Sequence, residues 1–355
     1  MALTNLQKEK IAIEVIRTLV NRFDKFPENT SGNRNAPFHE AFLSAFTDKL
    51  QDKVPDVPFF ISLSSWLHGL NTTLGQQFFE SIAHHLSDGE KREYTAKRLG
   101  TQYITQQQKE DISELITDLD NAAQTPNLER ENGVIFQNAD STLVRALDFS
   151  ADVFIEENDT ITAIELKSVK PNSGEMRGEK QKILEGKAVL YRLFPNKEIR
   201  FYIGFPFDPT ENPTVPTTYN KDRFFSSIIK MSKFFAQEET LLASELWDFL
   251  SGERNTMEQI LGIINAISTP EFLTKFNFLL DNNNRGLESY KKQLEEWYLF
   301  SEILLIENDD QIKESIQNKI RLTKCYNQKL FKNEGGYNYE RYYRLKSLIP
   351  QKTND

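Results

Sequence analysis

A chain of 355 residues with 39% hydrophobic content can bury at least one sizeable core, organised as two or three structural units. Its one cysteine, Cys325, excludes an internal disulfide and a multi-cysteine zinc site, and with only four histidines any metal falls to carboxylates. The net charge of −9 counts mildly against nucleic acid as a partner, because phosphate binding draws on lysine and arginine, yet an acidic balance elsewhere leaves room for a local basic cleft.

The N-terminal MALTNLQKEK lacks the apolar core of a signal peptide, and no apolar run approaches the roughly 20 residues that cross a bilayer. The expectation is a cytoplasmic protein without membrane contact. Leu6, Ile13, Ile16, Val20 and Phe23 recur at helical spacing and predict an amphipathic helix over 4–23, ending before Pro27. Residues 28–36 read as a loop. Pro37 suits the first turn of a helix running to 50, with His39 and Glu40 as polar residues near its start.

Pro55 and Pro58 break the helical pattern over 54–60, before an apolar stretch at 61–70. Asn71-Thr72-Thr73 then supplies capping residues for a helix over 74–86. Phe78, Phe79, Ile82, Ala83 and Leu86 form its packed face, with Gln76 and Glu80 to one side. Taken alone, Glu80 reads as a solvated helix residue. A further helix is predicted over 107–121, a polar connection over 121–131, and a strand at Gly133-Val134-Ile135-Phe136.

The stretch 147–170, LDFSADVFIEENDTITAIELKSVK, organises the rest. Two apolar runs, Val153-Phe154-Ile155 and Ile161-Thr162-Ala163-Ile164, flank residues that favour a tight reversal, which predicts a β-hairpin. Side chains alternate along a strand, so Glu165 and Lys167 share a face opposite to Ile164 and Leu166. Asp152, at the start of the first strand, comes beside Glu165 if the pairing brings the strand ends together. Asp148 is a rival, but Asp152 directly begins the apolar run and has the better defined strand position. Two convergent carboxylates offer hard oxygens to Mg²⁺, and an adjacent lysine can position water and offset negative charge. That is the chemistry of phosphodiester hydrolysis.

After the hairpin, residues 171–175 read as a turn and 176–193 as a helix carrying Arg177, Lys180, Lys182, Lys187 and Arg192. The plain reading is a solvated face with Glu-Lys pairs such as Glu175, Glu179 and Lys182. Its place after the hairpin makes phosphate contact the alternative, with Lys170, Asn172, Arg177, Lys180 and Lys182 as candidates. Ile199 to Phe205 reads as a buried strand, completing a βαβ-like crossover in a mixed sheet. Residues 208–220, with three prolines, read as a surface excursion, and 224–235, 241–250, 256–267 and 271–280 as helices. The stretch 312–346 interleaves basic residues with tyrosines, which suits either a nucleic-acid backbone or a packing segment.

Asp152, the hairpin and Glu165-Leu166-Lys167 resemble the D...(D/E)xK signature of the PD-(D/E)xK nuclease superfamily, with Ala151 where its name has proline. Pro37-Phe38-His39-Glu40, the run LGQQFFE at 74–80, residues 165–174 and the run LWDFLSG at 246–252 resemble the TdeIII/MjaII group of type II restriction enzymes. The resemblance implies an α/β fold, a restriction-endonuclease-like mixed β-sheet core flanked by helices with additional helical N- and C-terminal segments. It implies Mg²⁺ held by Asp152, Glu165 and the main-chain carbonyl of Leu166. Lys167 would orient the attacking water, and Glu80 would be a further acid delivered by a preceding helix. It also implies double-stranded DNA as substrate and a GGNCC target. A short palindromic target asks for a homodimer.

On this reading, 1–130 is a helical N-terminal region whose helix 74–86 packs on the core, 131–207 is the catalytic core, and 221–355 is a helical C-terminal region with a basic, aromatic tail. A P-loop, a G-x-S-x-G elbow and a G-x-G-x-x-G motif are absent, so no nucleotide cofactor is expected. His84-His85 lacks the further ligands of an HNH-type site. The alternatives are a repair or junction-resolving nuclease of the same fold, a non-catalytic DNA-binding protein, and a structural protein whose hairpin carries only surface charge.

Overall fold

The computed structural model describes residues 2–27, 37–50, 53, 57–88, 90–91, 99–137, 142–167 and 173–350. The chain groups into two units, one formed by Met1–Leu3 with Phe79–Gln259 and the other by Thr4–Phe78 with Ile260–Asp355. The boundaries differ from those read off the sequence, since the helices between 79 and 130 cluster with the sheet and the first 78 residues with the C-terminal helices.

In the first unit the strands, in chain order, are β1 (Glu90–Lys91), β2 (Tyr103–Thr105), β3 (Leu143–Arg145), β4 (Val153–Glu156), β5 (Thr160–Leu166), β6 (Glu198–Phe205) and β7 (Thr240–Leu242). Five of them form one mixed sheet in the order β1-β4-β5-β6-β7, and β2 pairs with β3 separately. The predicted hairpin is present, with β4 and β5 antiparallel and Val153 opposite Ile164. The helix Ser173–Leu193 returns the chain so that β6 runs parallel to β5, with Glu165 beside Ile203. This is the expected crossover.

The register divides the sheet into two faces. Phe154, Ala163, Glu165, Phe201 and Ile203 share one face, and Ile164, Leu166, Tyr202 and Gly204 share the other. The helix Ser173–Leu193 covers the first face. Its Gly186 lies so close to Phe201 that an added Cβ would sit 2.9 Å from the ring, which explains a residue without a side chain there. The helix Ser244–Ser251 covers the second face, where Leu246 approaches Gly204 and the Phe249 ring lies 5.3 Å from Tyr202. Both faces of β5 are buried, as the apolar content of its sequence requires.

Several sequence expectations are corrected. Residues 133–136 do not form a strand. They complete a helix, Leu128–Ile135, whose N-cap Asn127 accepts a hydrogen bond from the Arg130 N–H at 2.8 Å, and Phe136 is the C-cap. The capping signal outweighs a four-residue apolar run that has no period of its own. Asn71-Thr72-Thr73 does not cap a new helix: the residues finish the helix Val57–Thr73, with the Thr72 and Thr73 hydroxyls donating to the His68 and Gly69 carbonyls. A π-helical turn, Leu74–Phe78, follows. Pro58 sits in the first turn of the helix Val57–Thr73, where a missing N–H costs nothing. The helix predicted over 224–235 is two, Lys221–Ser227 and Met231–Phe234, separated by Lys230 with φ of 58°. Residues 240–242 pair as β7 before the helix Ser244–Ser251 begins.

In the second unit the helix Asn5–Phe23 starts at Thr4, whose hydroxyl accepts from the Gln7 N–H in a capping box. The basic, tyrosine-rich tail contributes to a core there. Arg341, 2% exposed, donates to Glu302 at 2.7 Å, and the Tyr337 hydroxyl donates to the same carboxylate at 2.6 Å. Tyr343, Arg344 and Lys346 face outward. Among the described residues no helix is long and apolar enough to cross a membrane.

Within the first unit, Lys180 has no accessible surface and bridges Glu131 at 2.6 Å and Glu239 at 2.5 Å. The expected DNA contact at Lys180 is therefore replaced by a buried bridge joining the helix Ser173–Leu193 to the helix Leu128–Ile135 and to the residues before β7. Burial pushes the Glu239 carboxyl up, but Lys180 and Lys187 more than offset this and hold it below its ordinary value. Replacing Lys180 by Met would leave the buried Glu131 without its ion-pair partner and Glu239 with Lys187 alone. The expected loss is about 3–5 kcal/mol in urea unfolding, whereas Arg177→Ala at the exposed start of the same helix should change stability by less than about 0.5 kcal/mol.

Candidate active site

The hairpin register does the first part of the assembly. Extending the pairing of Val153 with Ile164 by one position places Asp152 directly across from Glu165. Beyond the last ladder bond, the Leu166 N–H donates to the Asp152 Oδ2 at 2.7 Å, so the carboxylate itself continues the strand pairing. The Lys167 N–H donates to the Gly204 carbonyl at 2.8 Å on the other side. In an extended strand a residue's N–H and C=O point the same way, which turns the Leu166 carbonyl to the Asp152 side. Asp152 and Glu165 are 3% and 2% exposed.

Lys167 follows Glu165 on the same face, and three carboxylates surround its ammonium: Glu179 at 2.8 Å, Glu165 at 3.4 Å and Glu175 at 3.9 Å. Burial by itself would push the Lys167 ammonium down, but Glu165, Glu179 and Glu175 together hold it above its ordinary value. The three carboxylates thus favour the charged form of Lys167. The Glu165 carboxyl is pushed up, first by burial and then by the neighbouring Asp152, against the pull of Lys182 and Lys167.

The helix Ser173–Leu193 completes the surroundings. Glu175, Glu179 and Lys182 fall on one stripe at helical spacing, and that stripe faces β5. Lys182 reaches the Glu165 Oε2 at 3.0 Å and the Glu179 Oε2 at 3.9 Å. The solvated Glu-Lys face expected for these residues is instead the roof of the acidic cluster. Their i, i+4, i+7 spacing was visible in the sequence, but the direction of the stripe was not.

On the β4 side, His84 of the helix Phe79–Ser87 is buried with its Nε2 2.7 Å from the Asp152 carbonyl oxygen. A carbonyl only accepts, so this nitrogen carries the hydrogen and donates. Glu80 stands one turn before His84 on the same side of that helix and is partly buried. The sequence sets His84-His85 aside as an HNH-type site, and nothing local to the pair shows that His84 meets the Asp152 main chain. Asp148, the rival to Asp152, is exposed and pairs with Arg145 at 2.8 Å. Arg177 is exposed, 3.6 Å from Asp120, whereas Lys170 and Asn172 lie outside the described residues.

The donor set fits a hard divalent cation. Two buried carboxylates oppose each other and a main-chain carbonyl faces the same side, all oxygen donors. Among the described residues no group of three or more His, Cys, Asp or Glu side chains is gathered for a metal, so the remaining positions would fall to the carbonyl, water or substrate oxygens.

A mixed sheet flanked by helices, with two carboxylates and a lysine on one face of its hairpin, defines a restriction-endonuclease-like enzyme. Residues 3–268 match the family described as "Type II restriction endonuclease, HinfI". The chain is also 44% identical over 361 residues, covering 96% of each protein, to the "Type II restriction enzyme MjaII" of Methanocaldococcus jannaschii. It belongs to the HinfI family of type II restriction endonucleases. It is a site-specific deoxyribonuclease acting on double-stranded DNA, of a kind that generally needs a divalent metal. This settles the choice against a repair nuclease or a non-catalytic binder.

Because burial and Asp152 both disfavour the charged form, Glu165 in the cation-free protein should gain its proton at a pH above the ordinary carboxyl range. Its raised value makes its stabilising contribution largest at low pH, and that contribution is lost as the pH rises through the shifted value. Asp152→Asn removes the repulsion and should move the Glu165 titration downward, read by carboxyl ¹³C NMR.

Proposed function

We propose that the enzyme hydrolyses DNA phosphodiesters with Mg²⁺ held by Asp152, Glu165 and the main-chain carbonyl of Leu166. The observation that carries this reading is the direct opposition of Asp152 and Glu165 across the hairpin, with Lys167 two residues further on the same face. When bound, the cation lowers the proton affinity of water and offsets charge on the phosphate. Lys167, kept as an ammonium by its carboxylate neighbours, donates hydrogen bonds that orient the attacking water and balance charge developing on the scissile phosphate. His84 holds the Asp152 main chain, so the carboxylate is presented from a fixed backbone. Glu80 supplies a further acid from the same helix, supported by its place one turn from His84.

Lys170, Asn172 and Arg177, in and after the segment that follows β5, contact the DNA backbone. The likeness to the TdeIII/MjaII group supports GGNCC as the target. A target of that two-fold symmetry is matched by a homodimer with one site for each strand, acting in the cytoplasm.

The test is incubation of unmethylated plasmid DNA with the wild type and Lys167→Ala, each with Mg²⁺ and with EDTA. The wild type should give discrete fragments only with Mg²⁺, with ends that sequence to GGNCC, and Lys167→Ala should be slower by about 10²–10⁴. Equal cleavage by the two proteins would remove Lys167 from the mechanism, and ends at another sequence would remove the target.

A further inference from the structure

Lys182 has no task in the chemistry above, yet its ammonium lies against one of the two proposed cation ligands. It is 3.0 Å from the Glu165 Oε2, and its next carboxylate, Glu179, is 3.9 Å away. Lys167 has the opposite preference, with Glu179 at 2.8 Å and Glu165 at 3.4 Å. The two lysines therefore divide the acids between them, Lys182 taking Glu165 and Lys167 taking Glu179. Asp152, Glu165, Glu175 and Glu179 thus gather around these two ammonium groups.

The helix that carries Lys182 is itself anchored. On another side of the helix, Lys180 is locked between Glu131 and Glu239, and Lys187 is 3.8 Å from Glu239, both lysines without significant accessible surface. A change of partner by Lys182 then needs rotation of its side chain and no movement of the helix. Glu179, three residues before it, is in reach as the second partner.

We propose that Lys182 is an internal counter-ion for Glu165, which a divalent cation displaces towards Glu179 on binding, so that Lys182 sets the enzyme's cation affinity. The inference rests on the reading of Asp152 and Glu165 as the cation ligands. An ammonium within about 3 Å of a ligand oxygen opposes an incoming cation through both occupancy and charge, and the penalty is large where burial weakens screening.

Calcium titration of the full-length protein without DNA, followed by calorimetry, tests this with wild type, Lys182→Gln, Lys182→Arg and Asp152→Asn. Lys182→Gln should bind Ca²⁺ about tenfold more tightly than wild type, and Lys182→Arg, which keeps the charge, should stay close to wild type. In the wild type, the lysine ammonium NMR signal missing from Lys182→Arg should shift on Ca²⁺ saturation, a readout independent of whether Lys182→Gln folds. If Asp152→Asn loses binding while Lys182→Gln binds no more tightly and the ammonium signal does not move, the counter-ion role falls alone. If the wild type takes up no Ca²⁺, or Asp152→Asn binds as tightly as wild type, the assignment of the carboxylate pair falls, and the role of Lys182 falls with it.

Discussion

The site depends on one strand pairing. Val153 lies opposite Ile164, and the next step of that register brings Asp152 across from Glu165, where the Leu166 N–H takes the Asp152 carboxylate as its acceptor. A slip by one residue would turn every side chain on the moving strand to the other face, separating the two acids and burying Asp152 among apolar residues. The hydrophobic alternation of the hairpin therefore protects the chemistry as well as the fold. Phe154 and Ala163 on one face, and Val153 and Ile164 on the other, are each fully buried and tolerate no such slip.

Holding two carboxylates together inside a protein is costly, and the surroundings of the hairpin are arranged around that cost. Burial and mutual repulsion raise the proton affinity of Glu165, whereas Lys167 and Lys182 lower it. Both lysines are positioned by the acids of one helix, Ser173–Leu193. Another side of that helix carries Lys180 and Lys187 into a separate buried ion network with Glu131 and Glu239. The helix thus serves the site on one stripe and is fastened to the rest of its unit on another. Breaking either set of ions would strand charge away from water, and that is costly inside a protein.

The net charge of −9 goes with a DNA substrate although much of the basic content has a different use from the one its sequence position suggests. Lys180 is fully buried, and Lys182 is turned toward Glu165. In the other unit Arg341 is paired inside the core with Glu302. Arg177, exposed at the start of the helix Ser173–Leu193, is the described member of the candidate DNA-contacting residues that keeps an open side chain.

What the sequence alone determined is local. The alternation of Val153 to Ile155 and Ile161 to Ile164, with a polar reversal between them, specifies a hairpin because a strand repeats every two residues. The same period places Glu165 and Lys167 on one face. The helical spacing of Leu6, Ile13, Ile16, Val20 and Phe23 likewise specifies the first helix, and the structure adds the caps at Thr4 and Thr105. The run 133–136 misled because four apolar residues have no period to separate strand from helix, and the cap at Asn127 decided the matter. Only the tertiary structure decided which way the stripe of Glu175, Glu179 and Lys182 faces, that Lys180 is buried, and that His84 reaches the Asp152 carbonyl. Their partners lie from 8 to 68 residues away along the chain, and a side chain's environment is set by which other elements pack against it, which no local pattern encodes.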